Sequence, residues 1–209
     1  MRKEVFIVGE YHHIYNRGVD KRDIFCDDRD RLRFVHTLYI LNNFVDIPYN
    51  FDVVKLEPRE LLHPRKNPLV RIVAGCLMSN HFHLMLTPLE EGGVSKFLHK
   101  VGVSYTKYFN KLHERSGSLF ESTFKAKHVD SHEYAAYLSQ YIHLNPVELF
   151  QGNRKNAWQK LMAYQWSTLH DYLGDKSRLS LLIDGSFRDE VLDMTPKEYK
   201  DFLFELYTR

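Results

Sequence analysis

Residues 70–88 constrain the fold of this chain more than any other segment. They read VRIVAGCLMSNHFHLMLTP, two runs rich in β-branched and apolar residues that meet at Met78-Ser79-Asn80. Serine and asparagine favour tight connections, so the pattern predicts a β-hairpin. A hairpin commits this part of the chain to an antiparallel sheet.

The second strand of this hairpin carries two histidines, His81 and His83. Because side chains alternate along a strand, the two share one face, while Phe82, Leu84 and Leu86 form an apolar opposite face. One face is therefore expected to join the core, and the other to present two imidazoles side by side. Neutral imidazoles at this spacing can chelate a divalent cation. The alternative is a pair of ordinary surface histidines, since the chain has 12 in all.

The flanking segments alternate between strand-like and helix-like patterns. Strands are predicted over residues 5–17 and 119–129, and a strand fragment followed by a proline-rich loop within residues 46–69. The predicted helices cover residues 27–43, with Asp27 or Asp28 as the cap, and residues 94–113, 131–145 and 195–206. This order predicts an α+β fold, an antiparallel sheet with helices on one face.

A second candidate site lies at the end of the predicted helix that precedes Pro146. Tyr141 and Asn145 are four residues apart, so they project from one helix face. Asparagine supplies a neutral oxygen to a hard-metal site, and a phenol can attack phosphorus when a metal polarises the phosphate. Of the three tyrosines on this helix, Tyr134, Tyr137 and Tyr141, only Tyr141 has a metal-capable amide four residues later. The alternative is that this aromatic stripe belongs to the core.

Length, composition and charge limit the number of domains and the kinds of partner that the chain is expected to have. A chain of 209 residues, 44% of them hydrophobic, is expected to form one domain with an appendage. The chain has no apolar run long enough to span a membrane and no apolar leader, which predicts a cytoplasmic protein. Cys26 and Cys76 lack metal-type spacing and are interpreted as reduced thiols.

Charge is unevenly distributed along the chain. Residues 171–209 contain nine acidic and six basic residues, a net charge of −3, so residues 1–170 carry +5. That excess is compatible with nucleic-acid binding without establishing it.

Taken together, the motifs resemble a known family. MSNHFHLML with YIHLNP downstream is similar to the single-tyrosine HUH transposases of the insertion-sequence-200 type and to their relatives associated with repetitive extragenic palindromes (REP). Three other segments extend the resemblance over roughly residues 5–174: YHHIYNRGVDKRDIF, LFESTFKAKHV and QWSTLHDYLG. The order of the motifs is specific, whereas no single motif is.

The resemblance implies a ferredoxin-like (RRM-like) fold with the His-hydrophobic-His motif on a central strand. It implies Mg²⁺ or Mn²⁺ held by His81, His83 and Asn145, with Tyr141 as nucleophile. Attack leaves a covalent 5′-phosphotyrosine and a free 3′-hydroxyl, and reversal on another end joins strands. The implied partner is single-stranded or hairpin DNA. Members often form homodimers in which the tyrosine helix serves the partner's metal site, but monomeric relatives exist.

The chain also departs from compact members of that family. Glu57–Pro68 looks inserted, and the tail from Asp175 has no counterpart in the family pattern. We therefore predict a catalytic domain over residues 1–174 and a helical C-terminal extension over residues 175–209, which is dispensable for the chemistry. These departures favour the longer REP-associated branch or a host-adopted relative.

The remaining predictions concern contacts with nucleic acid. Six residues are candidates for phosphate contacts, although solvated surface positions would explain them equally well: Asn16, Arg17, Lys21, Arg22, Lys125 and Lys127. The main alternative function is a non-catalytic single-strand-binding module, which would need neither the histidine pair nor Tyr141 with Asn145. A metal-dependent hydrolase that uses water as nucleophile is a third reading, disfavoured because no cluster of acidic ligands accompanies the histidines.

Overall fold

A computed structural model of the protein describes residues 4–43, 67–150, 152–183 and 187–208. Its strands are β1 (Tyr11–Arg17), β2 (Val70–Leu77), β3 (His81–Pro88) and β4 (Lys125–Val129). Its helices are α1 (Asp28–Leu41), α2 (Gly93–Leu112), α3 (His132–Leu144), α4 (Arg154–Met162), α5 (Leu169–Tyr172) and α6 (Pro196–Thr208). Short 3-10 turns lie at Val19–Lys21 and Asn145–Leu149, and a π turn lies at Phe187–Val191.

The four strands form one antiparallel sheet in the order β2-β3-β1-β4. The first six elements follow one another as β1-α1-β2-β3-α2-β4, which together with this strand order is the ferredoxin-like arrangement. The predicted α+β fold is therefore confirmed, and so is the hairpin of β2 and β3. Strands β1 and β3 are the central pair, so the histidine-bearing strand lies in the middle of the sheet.

Local sequence signals explain where the helices begin and end. The Asp27 carboxylate accepts hydrogen bonds from two backbone amides in the first turn of α1, as predicted for one of the two candidate caps. The Ser131 hydroxyl accepts a hydrogen bond from one such amide, that of Tyr134, in the first turn of α3. Helix α3 ends at Leu144 because Pro146 has no amide hydrogen to continue it, and a 3-10 turn begins at Asn145.

The two faces of the sheet carry separate apolar clusters. Helices α1 and α2 pack on the face that includes Ile14, Phe82 and Leu84. The opposite face includes Met85 and Cys76, and helices α3, α5 and α6 cover it. Helices therefore lie on both faces of the sheet. The prediction that helices cover one face holds for α1 and α2 and is wrong for the molecule as a whole. The histidine face looks polar in the sequence, yet around Met85 and Cys76 it is buried in an apolar cluster with side chains from α3, on which α6 packs in turn.

Two strands are shorter than their sequence patterns suggested. Strand β1 begins at Tyr11 rather than near residue 5, because the chain turns at Gly9, which has a φ of 86°. Strand β4 begins at Lys125 rather than at residue 119. The backbone carbonyls of Ser122 and Thr123 accept hydrogen bonds from the Asn16 side chain instead of pairing in the sheet.

The C-terminal segment packs directly on α3. Tyr199 and Leu203 of α6 are buried in the same apolar cluster as Leu138 and Ile142 of α3. The predicted terminal helix is thus present at nearly its predicted bounds, whereas α4 was not predicted. The strand fragment predicted after residue 46, and the insertion except for its last two residues, lie outside the described residues.

Within those residues, no helix has the combination of length and apolarity needed to cross a bilayer.

Candidate active site

The central strand places His81 and His83 against α3. His83 lies opposite Tyr15 of β1 in the sheet register, and His81 lies opposite Arg17. The two histidine rings are 5.1 Å apart, centre to centre, and nearly perpendicular. They are 8% and 6% exposed, so the alternative of ordinary surface histidines is wrong. Two buried imidazoles on one sheet face need partners, and the structure provides them.

His81 is held in one tautomer by its neighbours. The Asn80 amide nitrogen donates to the Lys21 carbonyl at 3.2 Å, so the Asn80 Oδ1 faces the imidazole. The His81 Nδ1 lies 2.6 Å from that oxygen and must carry the hydrogen, because an amide oxygen only accepts. Burial lowers the pKa of His81, so the ring is neutral and its Nε2 carries a lone pair.

That lone pair faces another acceptor. The His81 Nε2 lies 3.0 Å from Oδ1 of Asn145, and both residues are buried. With the hydrogen on Nδ1, the His81 Nε2 and the Asn145 Oδ1 both present lone pairs, and a cation would satisfy both. The donor set of the site, imidazole nitrogens with an amide oxygen, suits a divalent ion of the manganese type.

His83 has a partner that the sequence did not reveal. The His13 Nε2 lies 2.8 Å from the His83 Nδ1, and the two rings stack 5.0 Å apart. Desolvation lowers the pKa of His13 to about 4 and that of His83 to about 2. Both rings are therefore neutral near pH 7, and one must donate its hydrogen to the other.

Tyr141 lies beside this histidine pair. Its ring is 5.6 Å from that of His83 and 6.1 Å from that of His13, edge to face in both cases. It is 39% exposed, so part of the side chain contacts the two histidine rings while part reaches solvent. Tyr137, one turn earlier, is 48% exposed, and Tyr134 stacks loosely on it at 6.5 Å. The structure thus brings Tyr141, His81, His83 and Asn145 together within one chain.

Basic side chains border the site on the β4 side. Lys127 lies opposite His13 in the sheet register, and Lys125 lies opposite Tyr15. Both lysines are exposed, and the Lys127 ammonium lies 4.5 Å from the centre of the Tyr134 ring. Arg17, on the same face of β1, contributes to lowering the pKa of both His81 and His83. Three of the six predicted phosphate contacts therefore line the histidine face.

The other three candidates for phosphate contacts, Asn16, Arg22 and Lys21, have other roles in the structure. Asn16 is buried, and its amide donates to two backbone carbonyls in the segment before β4, so it has a structural role. A phosphate contact from Asn16 is not supported. Arg22 donates to the Val19 carbonyl and pairs with Asp20. Lys21 is exposed, and its carbonyl holds Asn80.

A cavity of about 460 Å³ opens next to the tyrosine. Tyr141 and Asn145 form one wall, and Leu206 and Tyr207 of α6 form another. Arg154, at the start of α4, lies at its edge and donates to the Thr208 carbonyl at 3.0 Å. The end of the tail therefore shapes the space beside the candidate nucleophile.

Three contributors were missed at the sequence level: His13, Tyr15 and Asn80. The signal for the first two was present, because His13, Tyr15 and Arg17 alternate along β1 with buried Ile14. Their pairing with β3 could not be read from the sequence, because the register of non-consecutive strands is set by tertiary packing. For Asn80, the sequence pattern predicts only a place in the turn.

The fold and site together resemble one class of protein. A ferredoxin-like sheet that carries a His-Phe-His motif on its central strand, facing a helix-borne tyrosine, is the arrangement that the motif resemblance implies. Residues 54–145 match the model of a family described as "Transposase IS200 like", and this span includes both histidines, Tyr141 and Asn145.

One solved structure has a similar fold. It is described as "Structure of the REP associates tyrosine transposase bound to a REP hairpin". The TM-score is 0.52 at 17% identity, over 83% of this chain and 85% of that chain. No curated protein matches the chain. The resemblance to this family that the motifs indicate is thereby confirmed.

Proposed function

We propose that this protein cleaves and rejoins single-stranded DNA through a covalent 5′-phosphotyrosine on Tyr141, with the help of a divalent metal ion. The observation that carries the proposal is the pair of facing acceptors, His81 Nε2 and Asn145 Oδ1, 3.0 Å apart on the same helix-sheet junction as Tyr141. A pure binding module would need neither this pair of metal-capable atoms nor the partly exposed phenol beside it.

His81, His83 and Asn145 are the residues that would hold the metal. When bound, a divalent ion polarises the scissile phosphate and offsets the negative charge that develops on it. Either Mg²⁺ or Mn²⁺ could serve, and two imidazoles favour Mn²⁺ over Mg²⁺. Neutral imidazoles also mean that no proton has to leave them near pH 7 for binding.

The proposed step conserves atoms and charge. The Tyr141 oxygen attacks phosphorus, forming a Tyr–O–P bond while the bond from phosphorus to the 3′ oxygen breaks. The phenol proton passes to solvent, which reaches the partly exposed Tyr141 side chain, and the leaving 3′ oxygen takes up a proton. Attack by a 3′-hydroxyl on the phosphotyrosine reverses the step and joins strands.

The surface around the site suits a single strand. Lys125 and Lys127 lie along the histidine face and are positioned for phosphates, and Tyr137 offers an exposed ring on which a base can stack. The similar solved protein is bound to a REP hairpin, which favours a hairpin with a single-stranded flank as the substrate. Binding should weaken as salt rises, because phosphate contacts release counterions.

The deciding experiment uses a labelled pool of single-stranded hairpins in Mn²⁺ and a denaturing gel that resolves a protein–DNA adduct. The wild type should form the adduct, and excess EDTA should abolish it. Tyr141→Phe should lose it with almost no change in stability, because one oxygen is removed from a partly exposed ring. Tyr137→Phe and Tyr134→Phe are the matched controls and should retain it.

Each contrary outcome has a definite meaning. An adduct that persists in Tyr141→Phe but vanishes in Tyr137→Phe would show that the wrong tyrosine has been assigned. Hairpin binding without any adduct or cleavage product in Mn²⁺ or Mg²⁺ would favour the binding module instead. Cleavage products without an adduct would favour a metal-activated water.

A further inference from the structure

We infer that Cys26, Asp30 and His113 form a second metal site, one that takes a zinc-type ion and is separate from the candidate active site. Among the described residues, these three bring a thiol, a carboxylate and an imidazole donor atom within 4.8 Å of one another. The three residues come from two elements: Cys26 and Asp30 flank the start of α1, and His113 follows α2.

The carboxylate is already oriented for the site. Asp30 is 0% exposed, and its Oδ2 accepts from the Cys26 backbone amide at 2.9 Å. Its Oδ1 accepts from the Tyr108 hydroxyl at 3.2 Å. Bonds of this kind around a ligating carboxylate fix its position.

The imidazole points its outer nitrogen at that carboxylate. The His113 Nε2 lies 3.0 Å from Oδ2 and 3.3 Å from Oδ1 of Asp30. The ring packs on Phe109 with centroids 4.2 Å apart, so its orientation is constrained. A metal ion needs only a small outward shift of these atoms, because two ligands of one tetrahedral ion lie slightly farther apart than a hydrogen bond.

The donor chemistry selects the class of ion. One thiolate and one imidazole favour zinc and similar ions over Mg²⁺ or Ca²⁺, which prefer all-oxygen sites. A thiolate and a carboxylate together carry two negative charges, which a divalent cation neutralises. Cys26 is exposed, so an ion can enter and a water can complete the fourth position.

The charge around the site also favours a cation, because the carboxylates of Asp23 and Asp27 act on the thiol in addition to that of Asp30. The sequence concealed the site because its ligands are four and 83 residues apart and match no zinc-type spacing.

The test uses Co²⁺ as the probe, because a thiolate–cobalt bond has an intense near-ultraviolet charge-transfer absorption that nitrogen and oxygen ligands lack. Titration of the full chain should produce this band, and in the double variant His81→Ala/His83→Ala, which lacks the other proposed metal ligands, it should saturate at one Co²⁺ per chain. Cys26→Ser should abolish it while leaving the fold unchanged, since that side chain is exposed, and His113→Ala should weaken cobalt binding at least tenfold. The double variant His81→Ala/His83→Ala should keep the band, as should Cys76→Ala.

Two results would overturn the inference: no band at saturating Co²⁺ in the wild type, or an unchanged band in Cys26→Ser. In the first case the cluster is a hydrogen-bonded Asp–His pair with a neighbouring thiol. Neither result bears on the proposed DNA chemistry, because the readout does not involve the adduct.

Discussion

At the scale of single residues, the chemistry of each site imidazole depends on which nitrogen carries its hydrogen. For His81 the Asn80 oxygen decides this, and Nε2 is left to face Asn145. For His83 the partner is His13, and a free Nε2 on His83 requires its Nδ1 to donate to His13. In our proposal His13 is thus a positioning residue, which acts on the metal site through His83 and not on the DNA.

The His13 role can be tested by metal affinity. His13→Phe keeps a ring that can stack but removes the acceptor for His83, so Mn²⁺ affinity should fall about 10- to 100-fold. His13→Gln restores an acceptor and should recover part of the loss. Calorimetric titration with Mn²⁺ in the absence of DNA measures this directly. Equal Mn²⁺ affinity in His13→Phe and the wild type would leave His13 with packing alone.

At the scale of elements, a chain of hydrogen bonds ties α3 to the sheet and to α6. The His143 ring lies between two hydroxyls: its Nε2 is 2.8 Å from that of Thr168, and its Nδ1 is 2.7 Å from that of Tyr199. The Tyr199 hydroxyl donates to the Ser139 oxygen at 3.0 Å, and the Gly75 amide of β2 donates to Thr168. Burial lowers the pKa of His143 to about 3, so the ring is neutral near pH 7.

This chain predicts a specific pH dependence of stability. The unfolded state takes up a proton on His143 as the pH falls below about 6.5, while the folded state stays neutral down to about 3. The contribution is therefore fully present above pH 6.5 and is lost progressively as the pH falls. Between pH 7.5 and pH 4.5 it amounts to about 2–3 kcal/mol.

Urea unfolding at those two pH values measures the effect. In His143→Gln the difference in unfolding free energy between them should be smaller by that amount, whatever the overall destabilisation. Thr168→Val breaks the same chain but keeps the titrating ring, so it should retain the pH dependence. An undiminished dependence in His143→Gln would assign it to the other buried histidines.

The tail is a second element-scale question. Sequence patterns predicted that residues beyond Asp175 are dispensable for the chemistry, since the recognised motifs precede them. Helix α6 nevertheless buries Tyr199 and Leu203 against α3 and accepts a hydrogen bond from Gln140 at the Phe202 carbonyl. Removing it would expose the apolar side of the helix that carries Tyr141.

We therefore expect Leu203→Ala to lower the unfolding free energy by about 2–5 kcal/mol, because it leaves a cavity in a packed cluster. Truncation after Met194 should cost more and lower adduct yield through loss of folded protein. Phe204→Ala, on the exposed side of α6, is the control and should have a much smaller effect. A truncated chain with wild-type unfolding and adduct yield would support the dispensable tail.

At the scale of the whole molecule, the arrangement of α3 bears on how copies cooperate. Tyr141 contacts the His83 and His13 rings of its own chain, so a complete site can form within one molecule. Relatives that exchange this helix between partners would place the tyrosine at the other subunit's metal.

A mixing experiment distinguishes the two arrangements. Tyr141→Phe and the double variant His81→Ala/His83→Ala should each be inactive, and an equimolar mixture should remain inactive if every site is built from one chain. Adduct formation restored to a substantial fraction of wild type in the mixture would show an exchanged helix. The single variants, assayed at the same total protein concentration, are the controls.

The sequence by itself determined the elements whose signals are local. Alternation along residues 81–88 and the turn at Ser79 and Asn80 were sufficient for the hairpin, and Asp27 and Pro146 marked helix ends. The motif order also anticipated the matched family.

Only the tertiary structure decided what faces the histidines. The pairing of β1 with β3 brings His13 to His83, and α3 packs on a sheet face that looks polar along the chain. Tertiary packing also brings Cys26 and His113 together. They lie 87 residues apart in sequence and meet because α1 and α2 pack side by side. The physical reason is common to these cases. Local patterns report which face of an element is apolar, whereas the partner of each face depends on packing between distant segments, where burial of the whole surface sets the free energy.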